Sequence, residues 1–203
     1  MYSFFKVVLQ RRTLLNSQAV IPCYLYPQNS LRREGTFIAL GVALLSLLSQ
    51  VSFKLPIGPV PITGQTFGVA LLALSWGQKR STLTFLIYPL LGGLGLPVFS
   101  AGHSGLSFGP TLGYLIGMAA SCYLVGLLAD KGYTNSFKKA FFAASMGSVL
   151  VFCFGLLVLS RFVPANQLLI SGLLPFIPGD VIKNLAAASI SAGLKKRFAR
   201  NLN

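Results

Sequence analysis

Acidic residues are almost missing from this chain of 203 residues: Glu34, Asp130 and Asp180 stand against 17 lysines and arginines, which gives a net charge of +14 at pH 7. Charged residues make up only 10% of the sequence and hydrophobic residues 54%, with a mean hydropathy of +0.71. This composition excludes an ordinary water-soluble globule. Because the basic residues fall in short clusters between apolar runs, a nucleic-acid-binding protein is not expected either.

Cysteine and histidine are also scarce. Cys23, Cys122 and Cys153 form no C-x-x-C pair, and His103 is the single histidine. The sequence therefore predicts neither a disulfide framework nor a metal site or cofactor, and we expect the cysteines to be small buried hydrophobic residues. A G-x-x-x-x-G-K-[ST] motif is missing too, so any ATP-driven step must come from another subunit.

Long apolar runs dominate the chain from Thr36 onward. Each run approaches the roughly 20 residues that cross a hydrocarbon core, and it is too long and continuous for a barrel strand. We predict an all-α integral membrane protein of six transmembrane helices in one bundle, over residues 36–52, 62–77, 82–98, 110–129, 137–160 and 168–194. Residues 34–200 form this membrane domain, and residues 1–33 form a basic N-terminal extension to which no role is assigned.

The distribution of lysine and arginine predicts the orientation of the bundle. Fourteen of the 17 lie at one side of it, at positions 6, 11, 12, 32, 33, 79, 80, 131, 138, 139, 195, 196, 197 and 200. The opposite loops hold only Lys54 and Arg161, and Lys183 lies within the last apolar run. By the positive-inside rule both termini are cytoplasmic, and the protein crosses the plasma membrane several times.

Asp180 and Lys183 are the most informative pair of residues. An ionisable side chain at membrane depth costs about 2.5–3.5 kcal/mol to insert, so it indicates a functional site by default. A spacing of three places both on one face of a helix that begins near Pro178 and Gly179. A structural ion pair to a neighbouring helix is the alternative.

Two further segments have the polarity of a ligand site. Gln65 and Thr66 lie near the start of the second helix, where they can bind a neutral polar ligand or hydrogen-bond to a partner helix. The Gly- and Pro-rich segment 92–105 predicts an outer loop that folds over a cavity. His103 and Ser104 in it are adjacent residues of a loop, which is not the geometry of a catalytic triad, so no catalytic residue is predicted.

Four motifs resemble the BioY family of biotin transporters. They are Pro59-Val60-Pro61-Ile62-Thr63-Gly64-Gln65-Thr66-Phe67, Gly95-Leu96-Pro97-Val98-Phe99, Gly109-Pro110-Thr111-Leu112-Gly113-Tyr114-Leu115 and Pro178-Gly179-Asp180-Val181-Ile182-Lys183. The resemblance covers residues 36–197 and implies a six-helix substrate-capture (S) component of an energy-coupling-factor transporter, which takes up biotin and is not an enzyme. An S component for thiamine or riboflavin, an intramembrane hydrolase and a passive scaffold are the alternatives.

The resemblance also implies roles for individual residues. Asp180 and Lys183 match the ligand-binding acid and base of the last helix, and Phe99, Tyr114, Thr111 and Gln65 are further candidates for the biotin site. Lys183 would meet either the ureido oxygen or the carboxylate of biotin. Ala39-x-x-x-Ala43 resembles the small-residue motif that docks on the transmembrane coupling subunit, which in turn works with ATPase subunits.

Overall fold

The computed structural model describes residues 19–20, 31–105 and 108–200. Its α-helices are α1 (Leu31–Gln50), α2 (Gln65–Gly93), α3 (Leu112–Asp130), α4 (Phe137–Leu159), α5 (Leu168–Gly172) and α6 (Ile177–Arg200). Two short strands, β1 (Ser52–Phe53) and β2 (Ile62–Thr63), pair antiparallel between α1 and α2. Apart from residues 19–20 and 31–33, the predicted extension 1–33 lies outside the described residues.

Helix α2 is bent back on itself at Gly77. The backbone there leaves the helical region (φ 76°, ψ −178°), so α2 consists of two arms, 65–76 and 78–93. Gln65 Nε2 donates a hydrogen bond to Tyr88 Oη at 2.6 Å, whereas in a straight helix 23 residues would span about 34 Å. The arms therefore form a helical hairpin whose turn is a single glycine.

This hairpin corrects the predicted number of separate helices. The sequence predicted two helices, 62–77 and 82–98, with a loop between them, but the arms join directly and the second ends at Gly93. The predicted last helix, 168–194, is divided into α5 and α6, because residues 173–176 leave the helix before Pro178. Within the described ranges the α-helices are thus five long ones and the short α5.

The membrane character predicted from composition is confirmed in part. In the described part of the chain, three helical stretches are long and apolar enough to cross a membrane: Leu112–Asp130, Phe137–Leu159 and Leu168–Phe198. Large apolar side chains are exposed along the bundle, among them Leu47 on α1 and Leu157 on α4. Such a surface is stable in lipid and not in water.

Two glycines at the spacing Gly113-x-x-x-Gly117 hold α3 against α4. A Cβ on Gly117 would lie 2.6 Å from the Cα of Val151, and one on Gly113 would lie 2.7 Å from the Cβ of Val158. Because no larger residue fits there, the two backbones can approach closely. Ala39 and Ala43 do not pack in this way, since both are exposed on the outer face of α1.

Most of the basic clusters lie at one end of the bundle, where polar side chains also link neighbouring helices. Asp130 Oδ2 accepts from the Gln78 backbone N–H at 3.0 Å beside the turn of α2, and Lys195 Nζ lies 3.5 Å from Thr134 Oγ1. Arg80, which the sequence placed in a loop between two helices, is buried and binds Glu34 through two hydrogen bonds of 2.6 and 3.0 Å. We call this the basic end of the bundle.

Cys122 and Cys153 are free and differ in their surroundings. Cys122 is buried, as predicted, but Cys153 is exposed on α4, so the prediction of burial was wrong for it. Cys23 lies outside the described residues. In the ranges that the structure describes, no group of three or more His, Cys, Asp or Glu side chains is arranged to hold a metal ion.

Candidate functional site

A cavity of about 330 Å³ opens at the end of the bundle opposite the basic end. The β1–β2 ribbon, the start of α2, the loop after α2, the start of α3, the middle of α4 and the start of α6 contribute to it. All six residues predicted to bind the ligand line it: Gln65, Phe99, Thr111, Tyr114, Asp180 and Lys183. Chain segments more than 100 residues apart therefore meet at one site.

Asp180 lies in the first turn of α6, where the sequence predicted a helix start. Pro178 is tolerated there because the first N–H groups of a helix have no partner within it. The Asp180 carboxylate is 8% exposed, and its Oδ2 accepts a hydrogen bond from Asn184 Nδ2 at 3.0 Å. Asn184 in turn donates to Ser148 Oγ of α4 at 2.8 Å, which fixes the carboxylate at the cavity wall.

Lys183 reaches across the cavity from α6 to the start of α2. Its Nζ donates to the backbone oxygen of Thr63 at 2.7 Å and to Thr66 Oγ1 at 3.2 Å. Asp180 and Lys183 thus each have hydrogen-bonding partners of their own, Asn184 on one side and Thr63 with Thr66 on the other. Such an arrangement presents an acceptor and a donor side by side to a ligand.

Gln65 lines the cavity and also joins the two arms of α2, so the structure shows the helix-to-helix hydrogen bond that the sequence left as one alternative. Its Oε1 accepts from Thr63 Oγ1 at 3.0 Å, and its Nε2 donates to Tyr88 Oη. The Tyr88 hydroxyl in turn donates a hydrogen bond of 2.8 Å to the backbone oxygen of Val98, in the loop after α2. The main effect of Gln65 is therefore to position the cavity wall and the loop above it.

Aromatic rings form the apolar walls. Tyr114 stacks on Phe176 with ring centroids 6.2 Å apart, and its hydroxyl donates to the Gly172 backbone oxygen at 2.7 Å. Phe99 packs its ring edge to face with Tyr88 at 5.6 Å. The ring of Tyr114 and that of Phe99 are therefore held in place, which suits a flat apolar ligand body.

The segment after α2 lines the cavity through residues 99, 100 and 103–105, within the stretch 92–105 that the sequence predicted as a loop over a cavity. Ser49 Oγ donates to the Val98 backbone oxygen at 2.6 Å, and Gln50 bonds to the Phe99 oxygen and the Gly102 N–H, each at 3.0 Å. The end of α1 thus holds this loop. His103 Nδ1 lies 2.8 Å from the Ser100 oxygen, so the imidazole stabilises a turn within this loop.

Sequence reasoning missed three contributors. Asn184 could have been found, because it follows Asp180 by four residues on the same helix face. The hydrogen bonds of Lys183 to the Thr63 oxygen and to Thr66 depend on how α6 packs beside α2, which no local pattern reports. Lys54 also lines the cavity, although the sequence counted it only as a loop cation.

Comparison with known proteins gives a consistent result. The BioY family profile matches residues 25–200. The "Probable biotin transporter BioY" of Pyrococcus horikoshii is 38% identical over 165 residues, covering 80% of this chain and 96% of the relative. The "Biotin transporter BioY" of Thermotoga maritima is 40% identical over 146 residues, covering 70% and 85%.

A solved structure is also similar. The crystal structure of the S-component for biotin from an ECF-type ABC transporter matches with a TM-score of 0.76 and 28% sequence identity. The match covers 83% of this chain and 95% of that chain. The similarity therefore extends over nearly the whole length of that protein.

Proposed function

The chain belongs to the BioY family, and we propose from this membership and from the cavity that it captures biotin as the S component of an energy-coupling-factor transporter. It is a multi-pass protein of the plasma membrane and a transporter component, not an enzyme. The observation that carries the proposal is the position of Asp180 and Lys183 together in the wall of one cavity.

The lining of the cavity suits the chemistry of biotin. The ureido ring has two N–H donors and one carbonyl acceptor, which match the Asp180 carboxylate and the Lys183 ammonium. The thiophane ring and valeryl chain are apolar, which suits the walls of Tyr114 and Phe99. Thr111, at the start of α3, offers a hydroxyl at the cavity edge.

Equilibrium binding of the detergent-purified protein to biotin, thiamine and riboflavin tests this function. We expect saturable binding of biotin and none of the other two at the same concentrations. Thiamine carries a cationic ring that would meet Lys183, and the flavin ring system is larger than the fused rings of biotin. Preference for either of these vitamins, or binding of none, would contradict the proposal.

We further propose that the bundle crosses the membrane six times with both termini in the cytoplasm, the two arms of α2 counting as separate crossings. The polar contacts of Arg80, Asp130 and Lys195 lie at the basic end, and the cavity lies at the other. Under the positive-inside rule the basic end is cytoplasmic, so the cavity opens outward.

Cysteine labelling in intact cells tests this orientation. In a variant without native cysteines, a single cysteine at exposed position 103 should react with a membrane-impermeant maleimide, whereas cysteines at exposed positions 79 and 139 should react only after the cells are opened. Labelling at 79 or 139 in sealed cells, with none at 103, would show the opposite orientation.

Ala39 and Ala43 are proposed to dock on the transmembrane coupling subunit, with the ATPase subunits beyond it. Both are exposed on α1, one helical turn apart, and they leave a shallow groove beside the exposed Leu40 and Leu47. ATP hydrolysis by that assembly would move the S component, because this sequence holds no nucleotide-binding motif.

Replacing both alanines with leucine should fill the groove. We expect co-purification with the coupling subunit to fall at least about tenfold while biotin affinity stays within about twofold, because both residues lie outside the cavity. Ser189→Leu, on the exposed face of α6, is the matched control and should change neither quantity. Joint loss of folded protein and biotin binding would instead indicate packing within the bundle.

A further inference from the structure

The β1–β2 ribbon and the segment that joins its strands line one side of the cavity. Ser52 pairs with Thr63 and Phe53 with Ile62, so the next pair outward brings Lys54 opposite Pro61. Lys54, Pro61 and Thr63 line the cavity, together with Pro59 and Val60 of the segment before β2, whereas Phe53 is 67% exposed. Lys54, directly after β1, is therefore a lining residue that is also exposed.

Lys54 and Lys183 stand at different depths along this ribbon. Lys183 Nζ is bound to the Thr63 oxygen, at the inner end of β2. Lys54 directly follows β1 and lies two residues beyond Ser52, the residue paired with Thr63, which is about 7 Å at about 3.3 Å per residue. A ligand held at its inner end by Asp180 and Lys183 would thus extend its other end toward Lys54.

The charges of the lining leave one cation without a counterpart in the site. Among the described lining residues, Asp180 is the carboxylate and Lys54 and Lys183 are the ammonium groups. Asp180 and Lys183 stand three residues apart on α6 and compensate each other. The site therefore has an excess positive charge at its mouth, which complements a ligand with one anionic end.

We propose that Lys54 binds the carboxylate of the captured ligand and so selects the free acid over neutral derivatives, while Asp180 and Lys183 hold the ureido ring. This inference rests on the proposed biotin-binding function. Lys54 is exposed, so water and salt screen its charge and its contribution is moderate compared with that of a buried ion pair. It acts as a determinant of specificity at the entrance.

Measuring affinities for biotin and for biotin methyl ester tests this role, because the ester lacks the negative charge and keeps the rings. We expect the wild type to prefer the acid about tenfold. Lys54→Met should remove that preference, because it lowers the affinity for the acid about tenfold and leaves the affinity for the ester within about twofold of the wild type. Lys54→Arg should retain the preference, and Lys79→Met, a matched loss of an exposed lysine outside the cavity, should change nothing.

Other outcomes would overturn the assignment. If Lys183→Met removes the preference and Lys54→Met does not, the carboxylate lies against Lys183. If His103→Ala alone removes it, the loop imidazole is the partner. If Lys54→Met weakens the binding of acid and ester equally, Lys54 only shapes the cavity mouth. If the wild type binds both ligands with equal affinity, no cation contacts the carboxylate. A wild type that binds neither ligand would refute the proposed function itself.

Discussion

Asp180→Asn and Lys183→Met should each lower the affinity for biotin about 30-fold to 1000-fold, which corresponds to about 2–4 kcal/mol. In the proposed complex, Asp180→Asn replaces a charged acceptor of the ureido N–H groups with a neutral one and leaves the Lys183 ammonium without a nearby opposite charge. Lys183→Met removes the proposed donor to the ureido oxygen and leaves the Asp180 carboxylate without a nearby cation. Isothermal titration of the purified variants measures both losses.

The melting temperature without ligand separates binding from a structural role. Asp180 is held by Asn184, and Lys183 is held by Thr63 and Thr66, so neither charge depends on the other for its hydrogen bonds. We therefore expect the melting temperature of each variant to change far less than its affinity. A structural ion pair predicts the reverse: strong destabilisation and near-normal affinity in the fraction that still folds.

A matched control exists on α3. Asp130→Asn makes the same carboxylate-to-amide change at the basic end, where Asp130 accepts from the Gln78 N–H. It should leave biotin affinity within about twofold and lower stability, because it weakens a capping interaction. If Asp180→Asn and Lys183→Met keep their affinities within about threefold of the wild type, the assignment of the site to these two residues is wrong.

The part of the site that the sequence could predict depends on short spacings. The Pro178-Gly179 break and the i,i+3 relation of Asp180 to Lys183 are local, and α6 begins at Ile177 with both residues in the cavity wall. Gly and Pro content likewise predicted the covering loop, since these residues end helices. Local rules suffice where neighbours along the chain decide the conformation.

The rest depends on contacts between distant segments. Arg80 is indistinguishable from a loop cation until Glu34, 46 residues away, pairs with it. Lys54 lines the cavity because the pairing of Ser52 with Thr63 brings the end of β1 beside the start of α2. The sequence predicted a break between two helices at residues 78–81, but not that the chain reverses at Gly77 alone. The polar run Gln78-Lys79-Arg80 is typical of a loop, and the positive φ of Gly77 appears only in the folded hairpin.

Gly77→Ala should be the most destabilising small substitution that we predict in this chain. At φ 76° and ψ −178°, Gly77 occupies a backbone region that is essentially restricted to glycine, at a cost of about 1–3 kcal/mol for other residues. An added Cβ would also overlap the Asp130 carboxylate, with Cγ only 2.9 Å away. Displacing that carboxylate weakens its hydrogen bond to Gln78 and costs about 1 kcal/mol more.

Together these effects amount to about 2–4 kcal/mol, or about 5–15 °C in the melting temperature of a chain of this size. Gly193→Ala is the matched control, because Gly193 lies in α6 with no atom within 4 Å of an added Cβ; it should be neutral or slightly stabilising. Biotin affinity of the folded Gly77→Ala protein should stay near that of the wild type, since Gly77 is at the basic end.

Introducing Gly77→Ala into the Asp130→Ala variant separates the backbone cost of the substitution from the overlap with the Asp130 carboxylate. Without the carboxylate the added Cβ has no overlap at Asp130, and the Gln78 N–H has already lost that acceptor, so only the backbone cost remains. Gly77→Ala should therefore lower the melting temperature less in Asp130→Ala than in the wild type, and the remaining loss should still be measurable. An equal loss in both backgrounds would show that the carboxylate takes no part, and no loss in either would mean that the hairpin does not turn at Gly77.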